Sequence, residues 1–125
     1  MMNEFGRFKK SLSHAIDGLA YAIKQERNFR IELVIACFVF ALIFIFRLKN
    51  WEAIVLILMI MWVLIAELIN TVLERVVDIL KPRIHPYARL IKDLMAAVVL
   101  ISSIVAIFVG VIIFYPYLRS LLMFL

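Results

Sequence analysis

The sequence predicts an all-α membrane protein in which an N-terminal amphipathic surface helix precedes three transmembrane helices. Hydrophobic residues make up 66% of the 125-residue chain, whereas a soluble domain is roughly half apolar. Long runs without charge recur along the chain, and the charged residues cluster near the ends of those runs. Near the N-terminus, apolar residues recur at spacings of three and four, which is typical of an amphipathic helix.

These segments together form a single domain over residues 1–125, because the chain is too short for a separate soluble catalytic domain. The surface helix places basic side chains toward lipid headgroups and its apolar side toward the membrane. The segments are the surface helix at about 5–26 and spans at about 29–46, 52–80 and 87–115.

Proline residues mark the expected ends of the later helices. Pro82 and Pro86 lie between the second and third spans. Because proline lacks a backbone N–H and breaks a helix, we expect a loop at 81–86. Pro116 is expected to end the third helix for the same reason.

The charge distribution predicts the orientation in the membrane. The net charge is +5, and most basic residues precede the first span or flank the 81–88 segment. Since basic loops stay on the cytoplasmic side, the N-terminus and the 81–88 segment are expected in the cytoplasm. No basic stripe with interleaved aromatic residues is present, so nucleic acid is not an expected partner. Cys37 is the sole cysteine, which excludes an intrachain disulfide.

One helical face in the second half of the second span carries an unusual set of polar residues. At about 100° per residue, their spacing returns each of them to one stripe of the helix. Polar groups at this depth usually face a bundle interior or a water-filled cavity. Two interpretations have about equal weight: the stripe joins helices together, or it is a catalytic site. Its members are Glu67, Asn70, Thr71, Glu74 and Asp78.

Several charged groups are expected at the same membrane surface as this stripe. Carboxylates there, including Glu26 and Asp93, are ligands that suit Mg²⁺, which also bridges substrate phosphates. Lys92 could bind those phosphates. Glu67 lies about 10 Å deeper than Glu74, where it could take a proton from a lipid hydroxyl. The chemistry predicted for a catalytic site is phosphoryl transfer, although the three glycines form no glycine-rich phosphate loop.

The residues 67–78 resemble the signature of the small bacterial membrane lipid kinases, the diacylglycerol kinase and undecaprenol kinase family. The matching stretch reads ELINTVLE followed by VVD. Further matches follow in the expected order over nearly the whole chain. They are Phe5 with Arg7, Gly18-Leu19, Glu26 with Arg30, His85, and Lys92-Asp93.

The resemblance implies an ATP-dependent kinase that phosphorylates the hydroxyl of a membrane lipid in the bacterial inner membrane. It implies a homotrimer with active sites between subunits, facing the cytoplasm. Glu67 would be the general base, and Glu26 and Glu74 would hold Mg²⁺ with ATP. The residues implied in nucleotide and phosphate binding, beside Glu26 and Glu74, are Arg7, Asn70, Asp78, His85, Lys92 and Asp93.

The sequence departs from the family pattern at three places and leaves the acceptor lipid open. Arg83 stands where the family often has glutamate, Leu94-Met95 follows the Lys-Asp pair where small residues are common, and Val72 replaces the usual alanine. Residues 22–28 look more like the undecaprenol kinase branch, so undecaprenol is the favoured acceptor and diacylglycerol the alternative. A small proton-coupled transporter with Glu67 as its membrane carboxylate is a more distant alternative.

Overall fold

The computed structural model describes residues 1–125, and the chain is helical throughout. The helices are α1 (Glu4–Gln25), α2 (Arg27–Ile45) and α3 (Asn50–Met123), and no strand is present. Both α2 and α3 are long and apolar enough to cross a membrane. The structure thus confirms the all-α membrane class, with α1 as the amphipathic helix that precedes the spans.

Local sequence accounts for where the first two helices begin and end. The Asn3 side chain caps α1 by accepting a hydrogen bond from the backbone N–H of Gly6 at 2.8 Å. Glu26 has extended torsions and separates α1 from α2. No glycine or proline interrupts α2. After α2, Arg47 adopts a positive φ of 50°, and the N–H of Leu48 closes the helix end on the Ile43 carbonyl at 3.1 Å.

The long helix α3 reverses direction near Ile84 and therefore supplies two spans. The indole N–H of Trp62 donates to the Ser102 hydroxyl at 2.9 Å, although 40 residues along a straight helix would separate them by about 60 Å. Ile84 alone has non-helical torsions, with φ −111° and ψ 19°. We name residues 50–83 the first arm and residues 85–123 the second arm.

The expected loop at 81–86 is thus reduced to a break at one residue. Pro82 and Pro86 lie on either side of Ile84 and are both included in helical backbone. Proline is accepted in the first turn of a helix, where its missing N–H has no partner to lose. Pro86 lies in the first turn of the second arm, so the helix can begin there without a longer loop.

The expectation that Pro116 ends the last helix is wrong, because α3 continues to Met123. Proline removes one backbone hydrogen bond, but tertiary contacts of the next residue hold the chain in place. The Tyr117 ring packs against Phe46 with 6.1 Å between ring centroids. Its hydroxyl donates a hydrogen bond to the Glu52 carboxylate. These contacts join the two ends of α3 to the end of α2.

Replacing Tyr117 with Phe is expected to destabilise this end of the bundle. Glu52 is only 7% exposed, and it keeps just the backbone N–H of Lys49 at 3.1 Å as a partner. A buried carboxylate that loses a hydrogen bond costs about 1–3 kcal/mol. Thermal unfolding in detergent should therefore show a lower midpoint. Tyr115→Phe removes the same hydroxyl from an exposed tyrosine and serves as the control. An equal drop in its unfolding midpoint would contradict a stabilising role for the Tyr117–Glu52 hydrogen bond.

The single chain is a thin bundle that leaves most of its apolar surface uncovered. Only 13 of 125 residues are buried. The core cluster lies at the Glu52 end of the arms and comprises Ile43, Leu56, Ile113 and Phe114. A groove of about 660 Å³ lies between α2 and both arms and is lined mostly by apolar side chains, with Glu32 as the one charged residue in its lining. Apolar side chains that are exposed in this way need to be covered by lipid or by further copies of the chain.

Candidate active site

The polar stripe of the first arm is present as the sequence predicts, and its deepest member is fully enclosed. Glu67 is 2% exposed within the single chain. The Thr71 hydroxyl is buried and donates to the Glu67 carbonyl at 3.1 Å, so it is satisfied within its own helix. The Asn70 amide donates to the Glu74 carboxylate at 3.3 Å. Asn70 and Glu74 therefore act as one hydrogen-bonded unit beside Glu67.

The junction between α1 and α2 is attached to this stripe by Arg75. The guanidinium Nη2 donates to Glu26 Oε1 at 2.8 Å, and its Nε donates to the Tyr21 hydroxyl, also at 2.8 Å. Glu26 is 15% exposed at the side chain. The structure therefore brings Glu26 to the first arm, as the predicted site requires.

Arg30 makes a different contact from the one that helical spacing allows. Its position four residues after Glu26 is compatible with an ion pair on one helix face. Instead, Nη1 of Arg30 donates to the carbonyls of Ile23 and Lys24 at 2.8 and 2.9 Å. These carbonyls belong to the last turn of α1, which has unpaired carbonyls. Arg30 thus fixes the angle between α1 and α2 and leaves Glu26 to Arg75.

The second arm contributes Lys92 to the site. Its ammonium donates to Asp78 Oδ1 at 2.8 Å, across the reversal at Ile84. Arg75 Nη1 lies 3.9 Å from the other oxygen, Asp78 Oδ2. Asp78 therefore lies between two cations and holds Lys92 close to the stripe.

Three predicted site residues stand apart from this group within the single chain. Arg7 is exposed on α1, and His85 is exposed at the start of the second arm. Asp93 is exposed and pairs with Arg89 at 4.0 Å, a solvated contact that contributes little. The structure therefore unites Glu26, Glu67, Asn70, Glu74, Asp78 and Lys92, but it does not join Arg7, His85 or Asp93 to them.

Four carboxyl groups lie close enough to interact through their charges. Glu67 interacts electrostatically with Glu26 and Glu74, and also with Glu32 on α2. Glu32 has one buried oxygen, Oε2, without a hydrogen-bond partner. Like charges gathered in an apolar setting repel each other, so such a group favours a bound cation.

Sequence analysis assigned no role to Arg75, Tyr21 or Glu32. Arg75 directly follows Glu74 and is the one cation within the stretch 67–78. Its position alone therefore indicated that it belongs near the site. The partners of Arg75 are 49 and 54 residues away along the chain, so periodicity could not identify them. Glu32 carries a charge inside the predicted first span, and a charge at this depth indicates a functional role by default.

The two predicted metal ligands fit a magnesium ion that arrives with substrate phosphates. No group of three or more histidine, cysteine or acidic side chains forms a closed metal site. Magnesium needs only one or two carboxylates when waters and phosphate oxygens complete its shell. Glu26 and Glu74 provide that donor set from two different elements. Glu26 already binds a cationic group, the guanidinium of Arg75.

Helices that are long and apolar enough to span a membrane, with an acidic cluster beside paired cations on one of them, are typical of an integral membrane enzyme. The chain belongs to the prokaryotic diacylglycerol kinase family, whose profile matches residues 13–114. It is therefore a lipid kinase, a phosphotransferase with a lipid substrate, and the resemblance carried by residues 67–78 is confirmed.

Relatives within the family are named after different lipids. The chain is 34% identical to an undecaprenol kinase from Bacillus subtilis (strain 168) over 91% of this chain and 93% of that protein. It is 36% identical to a diacylglycerol kinase from Synechocystis sp. over 90% of this chain and 65% of that protein. It is 34% identical to a diacylglycerol kinase from Haemophilus influenzae over 84% and 90% of the two chains.

Proposed function

We propose that this lipid kinase transfers the γ-phosphoryl group of ATP to the hydroxyl of undecaprenol. One observation carries the proposal: the enclosed carboxyl of Glu67 lies on the same stripe as Asn70 and Glu74. The carboxylates and cations near the end of the first arm are suited to bind a nucleotide that arrives from the aqueous side. Glu67 itself lies deeper, at the level of the bilayer from which the acceptor lipid would arrive.

In the reaction, the acceptor hydroxyl attacks the γ-phosphorus while the bond to the departing ADP breaks. Glu67 takes the proton of the hydroxyl, and a phosphate ester forms. Asn70 orients the Glu74 carboxylate through their hydrogen bond. When bound, Mg²⁺ neutralises the charge that develops on the phosphate oxygens. Glu26 and Glu74 would hold it.

The remaining cations and polar groups are proposed to bind the nucleotide. Lys92 is placed for this by its 2.8 Å hydrogen bond to Asp78, and an ammonium group is a common partner of phosphate. Arg7, His85 and Asp93 would complete the binding site. Because these three lie apart from the stripe in one chain, they would reach a stripe of another subunit or converge when nucleotide binds.

The protein is proposed to work as a homotrimer in the bacterial inner membrane, with the N-terminus and the site on the cytoplasmic side. Two observations support assembly: the single chain leaves most large apolar side chains exposed, and three predicted nucleotide contacts are not met within one chain. The excess of basic residues before the first span and around residues 81–92 supports the orientation.

Undecaprenol is favoured over diacylglycerol by sequence rather than by geometry. The match to the B. subtilis undecaprenol kinase extends over nearly the full length of both chains. The residues around Glu26 also look more like that branch. Diacylglycerol, which would yield phosphatidic acid, is the alternative acceptor, and four of the relatives that match over at least 80% of this chain are named diacylglycerol kinase.

Phosphate transfer in detergent micelles should be at least about tenfold faster with undecaprenol than with diacylglycerol, a ratio equal to 1.4 kcal/mol of transition-state discrimination. The measurement supplies radiolabelled ATP and Mg²⁺ and offers each lipid separately at equal mole fraction. Glu67→Gln is the control for transfer at this site. Faster transfer to diacylglycerol would reassign the acceptor. No transfer to either lipid by folded, oligomeric protein would contradict the proposed reaction.

A further inference from the structure

Arg75 connects three parts of the molecule, yet the proposed reaction gives it no role. Its guanidinium donates to Glu26 and to the Tyr21 hydroxyl, both at 2.8 Å, and lies 5.9 Å from the centre of the Tyr21 ring. Asp78 is 3.9 Å away. Its side chain is nevertheless 46% exposed. Arg75 is therefore held by several partners while it remains accessible from the aqueous side.

The contact with Glu26 conflicts with metal binding at the same carboxylate. No other cationic side chain pairs with Glu26. A divalent cation bound by Glu26 and Glu74 would meet the positive charge of the residue that follows Glu74. Like charges within about 4–6 Å oppose each other strongly. The guanidinium and a metal ion therefore compete for Glu26.

A nucleotide removes this conflict, because its phosphates attract the guanidinium. Arginine presents several N–H donors in a planar fork that matches phosphate oxygens. The Arg75 side chain is 46% exposed, so nucleotide phosphates can reach its guanidinium and replace Glu26 as its anionic partner. The exchange leaves Glu26 free for the metal and provides Arg75 with a new anionic partner.

We propose that Arg75 pairs with Glu26 until the metal arrives with a nucleotide, and that it then binds the polyphosphate. This inference rests on the proposed function, in which Glu26 and Glu74 hold the metal. Its consequence is selectivity: the site disfavours a free divalent cation and favours the metal–nucleotide complex. Tyr21 keeps the guanidinium near both positions through its hydroxyl and its ring.

Binding of Mn²⁺ without nucleotide tests the first half of the proposal independently of activity. Purified protein in detergent is titrated with Mn²⁺, and electron paramagnetic resonance measures the concentration of Mn²⁺ that stays unbound. Arg75→Gln should bind Mn²⁺ about tenfold more tightly than the wild type, because the competing charge is gone. Arg75→Lys keeps the charge and should stay close to the wild type. Arg119→Gln removes one positive charge from the far end of the second arm and should change nothing.

Steady-state kinetics tests the second half of the proposal, that Arg75 binds the polyphosphate of the nucleotide. The KM for the Mg²⁺–ATP complex should rise about tenfold in Arg75→Gln, because a charge-assisted contact to phosphate is lost. The kcat should change much less than KM. A residue that only stabilised the fold would instead lower kcat and weaken metal binding together. Arg75→Met is a second uncharged replacement for use if the glutamine variant does not fold.

Glu26→Gln separates failure of this inference from failure of the metal site. If Glu26→Gln weakens Mn²⁺ binding but Arg75→Gln does not tighten it, the metal site stands and the role of Arg75 is overturned. If Glu26→Gln leaves Mn²⁺ binding unchanged, the metal site is overturned and the inference falls with it. Tighter Mn²⁺ binding together with a raised nucleotide KM in Arg75→Gln supports the proposal.

Discussion

Glu67→Gln is expected to lower the turnover of phosphate transfer by about 10²–10⁴-fold, the range for removal of a general base. Glutamine has nearly the same shape as glutamate, so the enclosed side chain can stay where it is, 2% exposed. Its amide, however, cannot take the proton of the acceptor hydroxyl. Nucleotide and metal binding should persist, because Glu26 and Glu74 remain. Single-turnover phosphate transfer, with nucleotide binding measured separately, checks this expectation.

Glu52→Gln is the matched control for this substitution. Glu52 lies on the same first arm and is also buried, but it contacts Tyr117 and Lys49 at the opposite end of the span. The same carboxyl-to-amide change there should affect stability and leave turnover near the wild-type value. If both variants lost activity equally, or if Glu67→Gln kept more than a tenth of wild-type turnover, Glu67 would not be the base.

Helix positions could be predicted well from the sequence because apolar periodicity and chain length determine them. The predicted helix at 5–26 and the span at 29–46 correspond to α1 and α2 within two residues. The ends marked by proline were less predictable. Pro116 lies inside α3 because Tyr117 gains contacts with Phe46 and Glu52. Such contacts depend on how distant segments pack, and local propensity does not contain that information.

The candidate site shows the same division between local and distant information. The stripe from Glu67 to Asp78 follows from helical periodicity alone, and the structure keeps it on one face. The link from Arg75 to Glu26 depends on the angle between α1 and α2, which the extended torsions of Glu26 and the contacts of Arg30 determine. A spacing of four residues allows an Arg30–Glu26 pair, but Arg30 instead donates to the open carbonyls at the end of α1.

A groove of about 660 Å³ and many exposed apolar side chains show that one chain leaves much of its apolar surface uncovered. A soluble enzyme would bury such surface in its own core. In a bilayer, lipid covers it without cost, so a chain of 125 residues can form a stable span without enclosing a complete active site. Arg7, His85 and Asp93 lie in parts that a second copy of the chain could cover.

Glu74→Gln is expected to lower turnover at low Mg²⁺ by about 10²-fold, the typical cost of losing one electrostatic contact to the reacting group. The substituted side chain still offers an amide oxygen to the Asn70 N–H, which donates to Glu74 at 3.3 Å. The local structure should therefore persist, and the main loss is the negative charge that binds the metal. Turnover measured over a wide range of Mg²⁺ concentrations checks the expectation.

The Mg²⁺ dependence distinguishes a metal ligand from a base. A ligand variant binds the metal more weakly, so a high Mg²⁺ concentration should restore much of the activity of Glu74→Gln. Glu67→Gln should not recover, because added metal supplies no proton acceptor at that depth. Glu74→Asp keeps the charge on a shorter side chain and should need less Mg²⁺ than Glu74→Gln. Equal Mg²⁺ dependence in Glu74→Gln and the wild type would contradict the assignment of Glu74 as a ligand.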